Sequence, residues 1–158
     1  MCLALGWLLA SSLRAQTLWP GTTAGMTVEE VQRAFPDARA PETPPEPSAV
    51  RGEELLELKQ AAIAGHTFRV GFFFKAERLT MVALAETGEV PMKEFEKFRA
   101  LLRAKYGLEY STTSSEFLEL TWRIAQTVIH LTWEPMGRGI STLSLTYEAP
   151  VPREPDRL

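Results

Sequence analysis

Two histidines are the residues best suited to acid–base or metal chemistry in this chain, and each stands alone in its pattern. His66 and His130 both fall in runs of alternating apolar and polar side chains, with no HxH pair, no His-Glu-x-x-His arrangement and no Cys nearby. A protein metal site needs three or four such ligands at short spacings. We therefore predict that both histidines are strand residues, and we predict no metal site and no cofactor.

Carboxylates are the other candidates for acid–base chemistry. Glu53, Glu54 and Glu57 form one group, and Glu116 and Glu119 form another. A general acid and a general base must flank one substrate bond. Alternate residues of a strand point to opposite faces, so we expect these carboxylates to form a solvated rim.

Two further motifs carry no chemistry. Residues 111–115 are rich in hydroxyls but lack the Gly-x-Ser-x-Gly turn of a hydrolase nucleophile, so we predict a loop there. Residues 137–139 read Gly-Arg-Gly without the following helix and further glycine of a phosphate-binding loop, so we predict a hairpin turn. The sequence offers no catalytic residue, and we do not predict an enzyme.

Three aromatic residues are the candidate binding residues. Phe73, Trp122 and Trp133 cannot all face one core if the strands alternate with a period of two residues. Grouped on an open sheet face, they would form a surface for a partner. The alternative is that the second face is buried by another layer or by a proline-rich loop.

The first half of the chain predicts one short helix followed by three strands. Thr27 and Glu30 have the spacing of a capping box, and the helix should end near Phe35 because Pro36 follows. Alternation then predicts strands over residues 55–63, 66–75 and 78–85, with tight turns between them.

The second half repeats this order. Its predicted helix has Pro91 in the first turn, ends at Gly107 and carries one apolar stripe. The stripe contains Phe95, Phe98, Leu101 and Leu102. Strands are predicted over residues 117–124, 127–134 and 141–148.

These elements define an α+β protein of tandem helix-strand-strand-strand units, with an antiparallel sheet and two helices packed on one face. The units span about 22–86 and 91–148 within a single domain, 16–148. Neither unit can cover its own apolar face alone. The pattern leaves open whether the two units form one continuous sheet or two sheets side by side.

Three segments lie outside the repeated elements. Residues 1–15 contain an apolar run of the length found in a secretory signal peptide and too short to span a membrane, which predicts export to the periplasm or the exterior. Residues 36–47 hold five prolines and predict an exposed loop. Residues 149–158 predict a flexible tail.

Composition narrows the classes of function. A formal charge of −3, without a run of Lys or Arg, argues against nucleic-acid binding. The only cysteine, Cys2, lies in the segment predicted to be removed, so no disulfide is expected in the mature chain.

The run Gly25-Met26-Thr27-Val28-Glu29-Glu30-Val31, ending at Phe35-Pro36, resembles the opening of small exported proteins of the BamE-like (SmpA/OmlA) and beta-lactamase-inhibitor-protein-like group. The resemblance implies a role in interactions within the cell envelope and no catalytic residue. BamE proteins are lipoproteins with one shorter unit, whereas this chain has two units and no lipobox Cys.

We therefore predict an exported, non-catalytic protein-interaction module of the cell envelope, with an envelope protein as partner. The alternative is a small-molecule or lipid carrier, which would need a cavity under Phe95, Phe98 and Leu102. A hydrolase of unrecognised type would need a cleft with converging His and carboxylate side chains. The partner, the ligand and the oligomeric state do not follow from the sequence.

Overall fold

The computed structural model describes residues 17–43, 45–113 and 117–149. Within these residues the chain forms two helices and seven strands, which confirms the α+β class. In chain order they are α1 (Val28–Ala34), β1 (Glu53–Ile63), β2 (His66–Lys75), β3 (Arg78–Gly88), α2 (Met92–Tyr106), β4 (Tyr110–Thr113), β5 (Leu118–Ile124), β6 (Thr127–Gly137) and β7 (Ile140–Glu148).

All seven strands belong to one antiparallel sheet in the order β1-β2-β3-β7-β6-β5-β4. The two units join through β3 and β7, whose register runs from Met81 opposite Glu148 to Gly88 opposite Ser141. The last strand of each unit therefore lies at the centre, and the earlier strands lie outwards. The two units therefore form one continuous sheet and not two sheets side by side, which the sequence had left open.

Both helices begin and end where the local signals place them. In α1 the Glu30 N–H donates to Thr27 Oγ1 at 3.2 Å, and the Thr27 N–H donates to Glu30 Oε2 at 2.8 Å, which is the capping box. In α2 Pro91 is the N-cap, and Gly107 closes the helix with a φ of 84°. A positive φ at a helix end favours glycine, because glycine has no Cβ to clash.

The two helices pack on the same face of the sheet. Phe68 and Phe72 lie on one side of β2 because they are separated by an even number of residues. The ring of Phe68 meets Phe98 of α2 at 5.5 Å, and the ring of Phe72 meets Phe35, just after α1, at 5.3 Å. A single hydrophobic core lies between this face and both helices. This confirms the predicted placement of the helices.

Three local predictions were wrong. Residues 110–113 form a strand, β4, because they pair with β5 where a loop was expected. Strand β6 continues through Pro135 to Gly137, with a register shift after Pro135 that accommodates a residue without an N–H. Leu101 is 49% exposed and does not join the buried stripe of Phe95, Phe98 and Leu102.

The proline-rich segment follows the outer edge of the sheet. Arg39 exchanges two backbone hydrogen bonds with Glu57 of β1, at 3.0 and 2.7 Å, and Glu42 pairs with Lys59. This contact protects part of an edge strand that would otherwise offer unpaired backbone groups. The segment thus passes from the helix side of the sheet to the opposite side.

The predicted signal peptide lies outside the described residues, as does the predicted tail beyond Ala149. Neither α1 nor α2 has the length and apolar character needed to cross a membrane.

Candidate functional site

The three aromatic residues singled out in the sequence do not come together. Phe73 lies on the side of the sheet away from the helices, whereas Trp122 and Trp133 lie on the helix side and contact the core. Phe73 is only 9% exposed and Trp122 only 1%. Phe73, Trp122 and Trp133 therefore do not form an exposed aromatic patch together.

Each of the three has a physical reason for its position, with Phe73 and Trp122 buried and Trp133 partly buried. The Trp122 indole N–H donates to the Gly107 carbonyl at 3.0 Å, and the Trp133 indole N–H donates to the Val90 carbonyl at 2.9 Å. These bonds attach both tryptophans to the chain segments that flank α2. The Phe73 ring lies over Gly71, whose missing side chain provides the space.

The face of the sheet away from the helices, called here the open face, is polar over its central strands. Directly opposed residues of neighbouring strands point to the same side. One row across the sheet is Ala83, Thr146, His130 and Thr121, and the next is Ala85, Ser144, Thr132 and Glu119. All eight are partly exposed. The open face therefore presents two alanines, four hydroxyl-bearing side chains, one histidine and one glutamate in register.

A charged cluster borders the open face where it reaches β1 and β2. The Arg69 guanidinium donates from Nη2 to Glu54 Oε1 at 2.6 Å and from Nε to Glu57 Oε2 at 2.8 Å. Both glutamates are buried. The expected solvated rim is therefore wrong for these two residues.

A bulge explains how both carboxylates reach the same side. Glu54 and Glu57 are three residues apart, which in a regular strand would place them on opposite faces. Strand β1 has a register shift between Glu54 and Leu56, so Glu54 lies opposite Phe73 and Glu57 lies opposite Gly71. An extra residue in one strand reverses the direction of the side chains that follow. Strict alternation along the sequence cannot reveal such a shift.

Glu54 is the most unusual group of the cluster. It is 2% exposed, and its Oε2 is buried without a hydrogen-bond partner among the described residues. Burial raises the pKa of this carboxyl, although the Arg69 guanidinium acts in the opposite direction. Glycine is required beside it, since a Cβ on Gly71 would lie 2.6 Å from Glu54 Oε1.

The cluster lies at the base of a depression of about 410 Å³. Glu42, Thr43 and Pro45 of the proline-rich segment form its other wall. Such a site can accept hydrogen bonds from a polar or basic group of a partner. The sequence signal that could have indicated it is Gly71 itself, a glycine within a run of bulky residues.

The two histidines occupy different environments. His66 Nδ1 lies 2.7 Å from Glu86 Oε2, and its Nε2 lies 2.8 Å from Glu94 Oε2 in the first turn of α2. The His66 bond holds the pKa of Glu94 below its ordinary value. His66 thus ties α2 to the sheet.

His130 lies in the open face, with Nδ1 3.3 Å from Thr121 Oγ1 and 3.6 Å from Glu119 Oε1. Searching residues 17–43, 45–113 and 117–149 finds no group of three or more His, Cys, Asp or Glu side chains that could hold a metal ion.

A cavity of about 300 Å³ lies on the helix side of the sheet. Leu84 and Leu145 of the sheet, Phe98 and Leu102 of α2, and Trp19 of the N-terminal segment are among its lining residues. Trp19 is held there by stacking on Phe35 at 5.4 Å.

No family model, curated protein or solved structure matches this chain. The resemblance to the BamE-like group therefore stays a prediction.

Proposed function

We propose that this chain is an exported, non-catalytic interaction module of the cell envelope that binds a protein partner through the open face. The observation that carries the proposal is the pair of in-register rows across β3, β7, β6 and β5, whose side chains are partly exposed and mostly small or hydroxyl-bearing. Small side chains let a partner approach the sheet closely, and their hydroxyls supply donors and acceptors.

The charged cluster supports the same surface. Gly71 and Ala83 lie opposite each other, so the row containing Thr146 and His130 continues directly to Glu57. Arg69 likewise lies opposite Ala85 in the neighbouring row. A partner seated on the hydroxyl rows would therefore meet fixed charges at one end, and fixed charges set orientation and specificity.

Export is supported by the apolar run at residues 2–10, which has the length of a signal-peptide core. N-terminal sequencing of the protein recovered from the envelope tests this part of the proposal. A mature chain beginning at Gln16 is expected. A protein that keeps residues 1–15 and stays inside the cell would contradict it.

Partner capture with matched variants tests the open face. The chain from Gln16 is immobilised and incubated with envelope extract, beside the variants Thr132→Arg and Thr146→Arg. Each arginine projects from the open face and should remove the partner by steric and charge conflict. Ala100→Arg is the control, because Ala100 is exposed on α2 on the other side of the sheet. Equal recovery with all variants would refute the proposal.

A second candidate function, a small-molecule or lipid carrier, is favoured by the cavity between α2 and the sheet. Of the three residues under which that function requires a cavity, Phe98 and Leu102 line this one and Phe95 does not. Its volume of about 300 Å³ lies at the lower end of the range for ligand sites.

A further inference from the structure

The cavity on the helix side of the sheet has polar groups that ordinary packing does not use. Tyr147 lines it and is 6% exposed, and its hydroxyl makes no hydrogen bond with any described residue. The hydroxyl of a tyrosine in the cavity wall can therefore donate a hydrogen bond to a bound molecule. Burial raises the pKa of Tyr147, and Tyr106 nearby raises it further, so the hydroxyl keeps its proton and remains a donor.

A second donor lies at the same cavity. The Lys105 ammonium is 4.9 Å from the centre of the Tyr106 ring, and both residues line the cavity. Within the described part of the chain Lys105 has no carboxylate partner, in contrast to Lys59 and Lys97. A cation over an aromatic ring still retains its capacity to bind an anion.

The remaining wall is apolar and reaches the surface. Leu101 lines the cavity although it is largely exposed, and it lies one helical turn before Lys105 on α2. An exposed leucine next to the Lys105 ammonium gives the opening both an apolar and a cationic side. Below it, Leu84, Leu145 and Phe98 provide an apolar interior.

We propose that this cavity binds a free anionic amphiphile, an aliphatic carboxylate, with its chain among the leucines and its carboxylate accepting hydrogen bonds from Lys105 and Tyr147. The inference rests on the carrier function and adds the chemistry of the ligand. A volume of 300 Å³ equals that of about ten water molecules, which suits a chain of about eight carbons.

Calorimetric titration with octanoate and with 1-octanol tests the inference, with binding also followed at the Trp19 indole N–H by NMR. Octanoate should bind one site per chain, about tenfold more tightly than octanol. Lys105→Gln and Tyr147→Phe should each weaken octanoate binding about three- to tenfold and leave octanol binding nearly unchanged. Lys93→Gln is the control, because Lys93 is exposed in the first turn of α2 and does not line the cavity.

The outcomes separate the two proposals. Equal affinities for octanoate and octanol, or octanoate binding unaffected by Lys105→Gln, would overturn the anionic ligand and leave the carrier function intact. No binding of either probe would overturn both. Flotation with phosphatidylglycerol vesicles distinguishes a free ligand from a membrane lipid. The wild-type protein should not float with the vesicles. If the wild type floats and Lys105→Gln does not, the ligand is a membrane lipid, and the proposal of a free amphiphile is overturned.

Discussion

Replacing Gly71 by alanine tests how tightly the charged cluster is built. The new Cβ would lie 2.6 Å from Glu54 Oε1 and 3.0 Å from the Phe73 ring, both closer than ordinary contact. The Glu54 carboxylate must then move away from Arg69, to which it is hydrogen-bonded at 2.6 Å. A hydrogen bond to a charged group contributes about 1.5–3 kcal/mol.

An opposing effect has to be subtracted. Alanine loses less backbone entropy than glycine on folding, which favours the variant by about 0.5–1 kcal/mol. Gly71→Ala should therefore lower the free energy of unfolding by about 1–2 kcal/mol. Urea unfolding followed by tryptophan fluorescence measures this directly.

The double-mutant cycle with Glu54→Ala isolates the cause. Without the carboxylate the Cβ of residue 71 has lost its closest neighbour, so Gly71→Ala in that background should be neutral or stabilising by up to about 1 kcal/mol. The coupling between the two positions should then be about 2 kcal/mol. If Gly71→Ala costs the same in both backgrounds, the proposed contact with Glu54 is incorrect.

Three further predictions concern the remaining fold. Two arginines lower the pKa of Glu109 from 4.5 to about 2, so its stabilising effect is complete above pH 4.5 and is lost as the pH falls towards 2. Glu109→Gln should therefore destabilise at pH 7, and urea midpoints should converge with those of the wild type near pH 2. Trp122→Phe should lower the free energy of unfolding by about 2–3 kcal/mol, because it leaves the Gly107 carbonyl unpaired. Trp133→Phe should lower it less, because Ser141 still donates to the Val90 carbonyl. Equal losses for the two variants in urea unfolding would contradict this. Thr27→Ala should cost about 1 kcal/mol by thermal or urea unfolding through loss of the helix cap, and an unchanged stability would argue against that cap.

Local signals were sufficient for both helices and for six of the seven strands that the structure describes, all except β4. The capping box at Thr27 and the glycine at the end of α2 act through atoms within a few residues, so the sequence shows them directly. The pairing of β3 with β7 could not be derived in the same way, because these strands are far apart in the sequence. Their pairing depends on how the apolar faces of the two units pack together.

The charged cluster of Glu54, Glu57 and Arg69 was harder to predict from the sequence, because its geometry depends on a register shift in β1. A single bulge in β1 changes which way Glu54 points relative to Glu57, and no residue type specifies it. The period-two rule correctly required Phe73 and the two tryptophans not to share one face. It could not show that Gly71 leaves room for the buried Phe73 ring.

Thiol labelling with and without a partner tests the central claim that the open face is a binding surface. The chain from Gln16 contains no cysteine, so Thr132→Cys introduces a unique thiol on the open face, and Ala100→Cys introduces one on the outer side of α2. Both should react readily with a maleimide in buffer. In the presence of envelope extract, labelling at position 132 should slow while labelling at position 100 stays unchanged. Equal rates at both positions with and without extract would contradict the account.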